Sequence, residues 1–219
     1  MESLDSLPPL CSIPASLRHY FVGVESRLEE TLQVLTSYDA MGEIARSNPS
    51  AAQQMNARYG FGESCAYAFG SFIILSMVAL TESANDTATL ATIYTRIPPK
   101  DSNQDALRRV NEIVCRVHQL YARYRNKLIG HNTLNRPAVL EQFFANGFTW
   151  KSVRHDLDEL LLAYKVLRLL AANQTDCIFE RAHSILLEAE GFIAITRSAV
   201  QRQLEMLFAP PAPPSSPQP

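Results

Sequence analysis

Arg125, Asn126 and His131 are the residues of this chain whose types and spacing could do chemistry. An arginine offers a permanent, forked cation, an asparagine offers an amide, and a histidine side chain ordinarily titrates near neutrality. Together such groups can hold a phosphate and move a proton. A histidine can take the proton of a ribose 2′-hydroxyl or give one to a leaving oxygen, while an arginine offsets the charge that develops on the phosphate. RNA cleavage without a metal ion needs these abilities.

A structural interpretation of the same residues stays open. An Arg-x(4 to 6)-His spacing arises by chance roughly once in a chain of this composition, so the spacing alone carries little information. Arg125 and Lys127 could cap the last carbonyl groups of a helix, and His131 could be a packed surface residue. The position of the residues at the end of the most regular helical pattern in the sequence favours a chemical role.

That helix is predicted to span residues 103–131, with Ser102 as its N-cap and Asp105 as the acid of a capping box. Gly130 is a suitable terminator in the left-handed region. Apolar residues recur at alternating spacings of three and four, which keeps one stripe of a helix apolar. The stripe consists of Leu107, Val110, Val114, Val117, Tyr121, Tyr124 and Leu128. His131 returns to this stripe, and Arg125 lies about 100° to one side of it.

The phrase Arg125-Asn126-x4-His131 at a helix end resembles the Arg-polar-x(3 to 4)-His signature of the HEPN superfamily. The nearest resemblance is to its abortive-infection AbiU-like branch. In that branch a long, nearly uncharged helix precedes a short polar segment with an Asp, and a second helix then ends in the signature. Here residues 63–84, Asn85-Asp86, residues 89–97 and residues 103–131 follow the same order. The resemblance covers residues 60–135.

The resemblance implies a homodimer of helical bundles in which two signatures face one shared cleft. It implies a metal-independent endoribonuclease of a defence or toxin–antitoxin system, with no cofactor and no metal. An RNA substrate and a cognate antitoxin or nucleotidyltransferase-type protein are the partners that fit this role. Other HEPN members are catalytically inactive and bind a nucleotide or a protein partner, and this alternative stays open.

The remaining sequence predicts further helices and few other elements. Apolar stripes run through residues 16–46, 152–171 and 176–207. Thr149 or Ser152 is expected to begin the second of these helices, and Thr175 or Asp176 is expected to cap the last. We therefore expect an all-α, up-and-down helical bundle of five to six helices, forming one domain over residues 1–208. Residues 209–219, APPAPPSSPQP, predict a disordered proline-rich tail, with a Pro-x-x-P ligand as the alternative.

Residues 64–81 form an eighteen-residue segment without a formal charge. This length is at the lower limit for a membrane span, but several serines and flanking glutamates favour a helix buried at the centre of a bundle. We expect no membrane association. Residues 1–15 do not have the pattern of a signal peptide, and the four cysteines are widely spread, which predicts reduced, buried thiols in a cytoplasmic protein. The net charge of −2 does not favour nucleic acid binding by the surface as a whole.

Two other histidine motifs are weaker. Glu180-x-x-His183 has the spacing of a di-iron ligand pair, but the sequence lacks the second copy that such a site needs, so a surface pair is expected. His155 and Asp156 are adjacent, and adjacent helical residues point about 100° apart, which argues against a base with its orienting acid. His19 and His118 have no partner pattern.

Overall fold

The computed structural model describes residues 7–50, 52–53, 57, 61–84, 87–126, 145 and 147–185. A short 3-10 turn, Leu10–Ser12, precedes six α-helices in this part of the chain, and it contains no β-strand. The helices are α1 (Ala15–Ser47), α2 (Phe61–Thr81), α3 (Leu90–Arg96), α4 (Gln104–Tyr124), α5 (Trp150–Ala171) and α6 (Ile178–Ser184). The predicted all-α fold is confirmed, with a helix count within the expected range.

Four long helices build the bundle. Helix α4 packs against α2 and α5, and α1 packs against the same two helices. The short α3 contacts all four long helices, while α6 packs on α5. One continuous apolar core runs through the assembly. Each fully buried aliphatic or aromatic side chain contributes roughly 1.5–3 kcal/mol to stability. Burial of its apolar side chains in this core is therefore the main contribution that holds α4 in place.

The predicted stripes of α1, α4 and α5 face this core. On α4, every stripe residue from Leu107 to Tyr124 is buried. On α1, Tyr38 is half-buried, and the stripe residues before it are buried: Leu17, Phe21, Val24, Leu28, Leu32 and Leu35. All of the predicted stripe of α5, from Val153 to Ala171, is buried as well. The period of the apolar residues therefore identified the buried face of these three helices correctly.

The start of α4 differs from the prediction. Asn103, and not Ser102, is the N-cap residue, and it makes no side-chain cap hydrogen bond to the helix. Its amide instead holds the preceding turn: Oδ1 accepts from the Lys100 N–H at 2.7 Å, and Nδ2 donates to the Pro98 carbonyl at 3.2 Å. Asn103 is buried, so these bonds also satisfy an amide that would otherwise be costly to desolvate. The expected capping box of Ser102 and Asp105 is wrong.

Helix α2 is not buried all round. Ile73, Ile74 and Met77 lie in the core, but Phe72 is 38% exposed and Leu75 is 47% exposed. Its uncharged sequence therefore reflects an apolar outer face as well as an apolar inner one, and the expectation of a fully buried central helix is wrong. None of the helices in the described part of the chain is long and apolar enough to cross a membrane.

Helix α5 begins as the sequence predicts. The Thr149 side chain caps the helix by accepting from the Ser152 N–H, and the Ser152 side chain accepts from the Thr149 N–H, which completes a capping box. Trp150 begins the helix and stacks on Tyr38 of α1, with ring centroids 3.7 Å apart. The helix ends after Ala171, where Asn173 adopts the left-handed region at φ 58°.

The last helix differs more from its prediction. Cys177 is the N-cap of α6, at φ 46°, in place of Thr175 or Asp176, and the extended backbone of Ile185 ends the helix at Ser184. The predicted continuation over residues 186–207 and the proline-rich tail, 209–219, lie outside the described residues. The division into a domain over 1–208 and a tail therefore stays a prediction.

The cysteines are not buried as expected. All four are free thiols; Cys11, Cys115 and Cys177 are exposed, and Cys65 is half-buried. Burial raises the pKa of the Cys65 thiol above its ordinary value.

Candidate active site

The C-terminal end of α4 is anchored by a chain of aromatic rings. Tyr121 and Tyr124 meet edge to face, with ring centroids 5.6 Å apart. Tyr124 makes a second edge-to-face contact of 5.4 Å with Phe148, just before α5. All three side chains are buried, so the last turn of α4 is fixed against its neighbours immediately before Arg125.

Arg125 and Asn126 continue α4 as a π-helical turn. Turns of this wider kind are rare in proteins, and a large share of those that occur lie at functional sites. Arg125 is half-buried and Asn126 is exposed. The Arg125 Nε–H donates to Oδ1 of Asn126 over a long 3.4 Å, so the two side chains lie side by side.

The charge of Arg125 is not neutralised by a carboxylate anywhere in the part of the chain that the structure describes. Some of the other arginines in the described part of the chain differ in this respect. Arg116, Arg154 and Arg168 each form an ion pair with an Asp or Glu. A guanidinium that no carboxylate of the described residues engages has the fork geometry that suits an anion such as a phosphate.

His131 lies outside the described residues. The structure therefore places two of the three predicted site residues, Arg125 and Asn126, next to each other, and the role of His131 rests on the sequence.

An acidic residue that sequence reasoning did not connect to α4 lies beneath this helix. Asp156 of α5 is only 3% exposed. Its Oδ1 accepts from Nη1 of Arg116 at 2.8 Å, and its Oδ2 accepts from the Tyr121 hydroxyl at 3.2 Å. Arg116 also pairs with Glu159. Asp156 thus ties α5 to α4 one turn before Arg125.

This environment shifts the titration of the neighbouring tyrosines. Burial, together with the negative charge of Asp156, raises the pKa of the Tyr121 hydroxyl far above its ordinary value. The same causes, burial first, raise the pKa of Tyr124. Both phenols are therefore neutral near pH 7 and stabilise the helix end as hydrogen-bonding and packing groups.

His118, for which the sequence offers no partner, has one in the structure. Its Nδ1 lies 3.3 Å from Oγ1 of Thr81, the last residue of α2. His118 is half-buried and lies on α4, two turns before Arg125. The contact joins the end of α2 to α4, and only the tertiary packing could have revealed it.

The histidines of the two weaker motifs line one groove of about 640 Å³ between α4, α5 and α6. His155 and His183 both line it and both are exposed, as is Glu180. The prediction of Glu180 and His183 as a surface pair is consistent with this exposure. Asp156 points away from His155 into the core, as the helical geometry predicts. The described part of the chain contains no group of three or more His, Cys, Asp or Glu side chains placed to hold a metal ion.

Comparisons with known proteins find no match: no protein-family model fits the chain, and neither a curated protein nor a solved structure is significantly similar to it.

Proposed function

We propose that this protein is a HEPN-like, metal-independent endoribonuclease of a defence or toxin–antitoxin type, in which Arg125, Asn126 and His131 form the catalytic site. One observation carries the proposal: Arg125 stands on an anchored helix end, beside Asn126, with no carboxylate of the described chain to neutralise it. Sites built on rigid elements hold their geometry better than sites on loops.

In the proposed reaction the guanidinium of Arg125 binds the scissile phosphate through two parallel hydrogen bonds. The O2′ of the ribose attacks the phosphorus, the P–O5′ bond breaks, and a 2′,3′-cyclic phosphate and a 5′-hydroxyl result. His131 exchanges a proton with one of these two oxygens, O2′ or O5′, and the other oxygen exchanges its proton with water or with another side chain. Asn126 holds the fork of Arg125 toward the phosphate. Arg125 stabilises the charge that accumulates on the phosphate oxygens in the transition state.

The proposal includes a homodimer in which two copies of the site share one cleft, and a cytoplasmic location. The exposed apolar side chains of α2, Phe72 and Leu75, support a protein partner surface on the bundle. A second copy of the chain is the partner that the resemblance implies, and a cognate antitoxin or a nucleotidyltransferase-type protein would act as regulator.

One observation favours the alternative of a catalytically inactive HEPN-like module that binds a nucleotide or a protein. The net charge of −2 gives no general attraction for RNA, because nucleic-acid-binding domains usually carry a basic surface. The two functions differ in one measurable result, which is the breaking of phosphodiester bonds.

The test is incubation of the purified protein with a mixed RNA pool in excess EDTA. Arg125, Asn126 and His131 provide a phosphate clamp and a proton carrier, so cleavage is expected to persist without divalent ions. Fragments ending in a 2′,3′-cyclic phosphate would support the proposal. Intact RNA, with binding of a nucleotide or protein at this helix end, would support the inactive module instead. Cleavage that EDTA abolishes and Mg²⁺ restores would require another mechanism.

A further inference from the structure

His118, Ala122 and Arg125 lie on one face of α4. Their spacings of four and three residues place them one above the other on the helix surface. All three are half-buried, so this line of side chains borders the packed part of the bundle and remains reachable from solvent. Tyr121, which lies between them in sequence, points into the core instead.

Thr81 determines which nitrogen of the His118 ring carries the proton. The Thr81 hydroxyl donates its single hydrogen to the Met77 carbonyl at 2.7 Å, with the Val78 carbonyl at 3.2 Å as a weaker second acceptor. With its hydrogen directed at Met77, the hydroxyl accepts at its 3.3 Å contact with Nδ1 of His118, and this arrangement favours Nδ1 as the donor. Thr81 is buried, so water cannot easily replace this arrangement. In the neutral ring, the lone pair then lies on Nε2.

Nε2 is free to act. It has no hydrogen-bond partner among the described residues, and it is not one of the unpaired polar atoms buried in that part of the chain. The nitrogen with the lone pair is therefore open to solvent. A histidine with one nitrogen fixed as donor by the protein and the other open is the arrangement that general bases use.

The distance along the helix suits a nucleotide unit. Seven residues separate His118 from Arg125, which is about 10 Å of helix axis. The long arginine side chain shortens the gap, and Ala122 between them contributes only a methyl group. On this face of α4, therefore, only a methyl group stands between His118 and Arg125.

We propose that His118 is a second catalytic histidine, the general base of the reaction; this inference rests on the ribonuclease function proposed above. Nε2 of His118 takes the proton of the 2′-hydroxyl while O2′ bonds to the phosphorus held by Arg125. The P–O5′ bond breaks, and O5′ receives the proton that the function proposed above assigns to His131. His118 afterwards returns its extra proton to water. Thr81 is a positioning residue that keeps the lone pair on Nε2.

Two variants each keep one hydrogen-bonding position of the His118 ring and remove its ability to take a proton. His118→Asn places an amide near the position of Nδ1, keeps the contact with Thr81 and removes the base. His118→Gln places an amide near the position of Nε2, which can hydrogen-bond the substrate but cannot take its proton. Both are expected to lower kcat by roughly 10²- to 10⁴-fold, the usual contribution of a general base, with KM changed much less.

Thr81 offers a test of the positioning role. Thr81→Val removes the acceptor for the Nδ1 proton at constant size and should lower kcat, because the ring can then carry its proton on Nε2. Thr81→Ser keeps the hydroxyl and should restore most of the activity. His155→Gln, at an exposed histidine of α5, is the matched control and should cleave like wild type.

The experiment measures cleavage of one RNA oligonucleotide by the wild type and these five variants, with melting temperatures taken in parallel. In addition, ¹⁵N NMR of the histidine side chains reports the proton position of neutral His118, which is expected to be Nδ1. Wild-type activity with unchanged cleavage by a folded His118→Asn variant, or a neutral ring protonated on Nε2, overturns this inference alone. A wild type that cleaves no RNA overturns it together with the proposed function.

Discussion

The Tyr121 hydroxyl donates a hydrogen bond to Oδ2 of Asp156 across 3.2 Å, and this bond joins α4 to α5. Both residues are almost completely buried. The bond lies one turn before Arg125, so it ties the position of the candidate site to the packing of the bundle.

Asp156→Ala should destabilise the fold by about 2–3 kcal/mol, because the buried Tyr121 hydroxyl loses its acceptor and Arg116 loses a buried anion. The loss of stability should lie at the lower end of the range for a broken buried ion pair, because the Arg116 side chain is 47% exposed and keeps Glu159 as a partner. Asp156→Asn should cost less, since one oxygen can still accept from Tyr121. Chemical denaturation measures both. Asp105→Ala, at a surface ion pair with Arg108, is the control and should leave stability unchanged. Equal stability of all three variants would contradict a structural role for Asp156.

Stability should fall above pH 10. The pKa values of Tyr121 and Tyr164 are raised in the folded protein, first by burial and then by the carboxylates of Asp156 and Glu25, respectively. Their contribution is complete below the unfolded pKa of about 10 and is lost as pH rises further, because only the unfolded state then releases the protons. Each tyrosine should lower the free energy of unfolding by about 1.4 kcal/mol per pH unit there.

Urea unfolding between pH 8 and pH 11 checks this prediction. Tyr121→Phe has no proton to release at that position, so its decline with pH should be shallower than that of the wild type. A parallel decline for both proteins would mean that Tyr121 does not titrate differently in the folded and unfolded states.

Two glycines of α1 should respond oppositely to alanine. A Cβ at Gly23 would lie 2.5 Å from Cβ of Ala88, so Gly23→Ala forces the segment before α3 away and should cost about 1–3 kcal/mol. At Gly42 the nearest atom would be Nη1 of Arg46 at 3.6 Å, an ordinary contact with a flexible side chain. Gly42→Ala should therefore stabilise the helix by about 0.5–1 kcal/mol. The melting temperatures of the two variants test this prediction. A shift in the same direction for both variants would contradict the close approach of α1 to Ala88.

The protein is expected to be a dimer. Phe72 and Leu75 expose apolar area on a helix segment without formal charge, and a two-fold contact would remove such area from water. Light scattering at micromolar concentration should give twice the chain mass, and Phe72→Glu or Leu75→Glu should reduce it to the monomer with the fold retained. A wild-type monomer would count against the shared cleft.

The sequence predicted the helices and their buried faces because apolar periodicity depends on a single helix. It also placed the start of α5 at Thr149 or Ser152 for the same local reason, and Thr149 is the N-cap. It failed at Asn103 and Cys177, where the turn before the helix, and not the helix itself, decides which residue caps. It also failed at Phe72 and Leu75, since an apolar composition does not distinguish a core face from an exposed one.

The contacts around the candidate site could not be predicted from spacing. Asp156 reaches Tyr121 from 35 positions away, and Thr81 reaches His118 from 37. Such pairs depend on which helices become neighbours and on their rotation. The position of Arg125 and Asn126 at the end of α4 could be predicted because they follow a strongly periodic helix directly in the sequence, and their catalytic role stays a prediction.

The most direct test of the ribonuclease proposal is cleavage of a mixed RNA pool in EDTA by the wild type and by Arg125→Ala, Arg125→Lys and His131→Ala, with melting temperatures in parallel. Arg123→Ala, at an exposed residue two positions earlier, is the control. We predict that the wild type and the control cleave, while the other three lose roughly 10²-fold or more and remain folded. Lysine should fail because an ammonium cannot form the two parallel bonds to phosphate. Equal cleavage by all five proteins, or variants that lose activity only because they unfold, would contradict the catalytic role of Arg125 and His131.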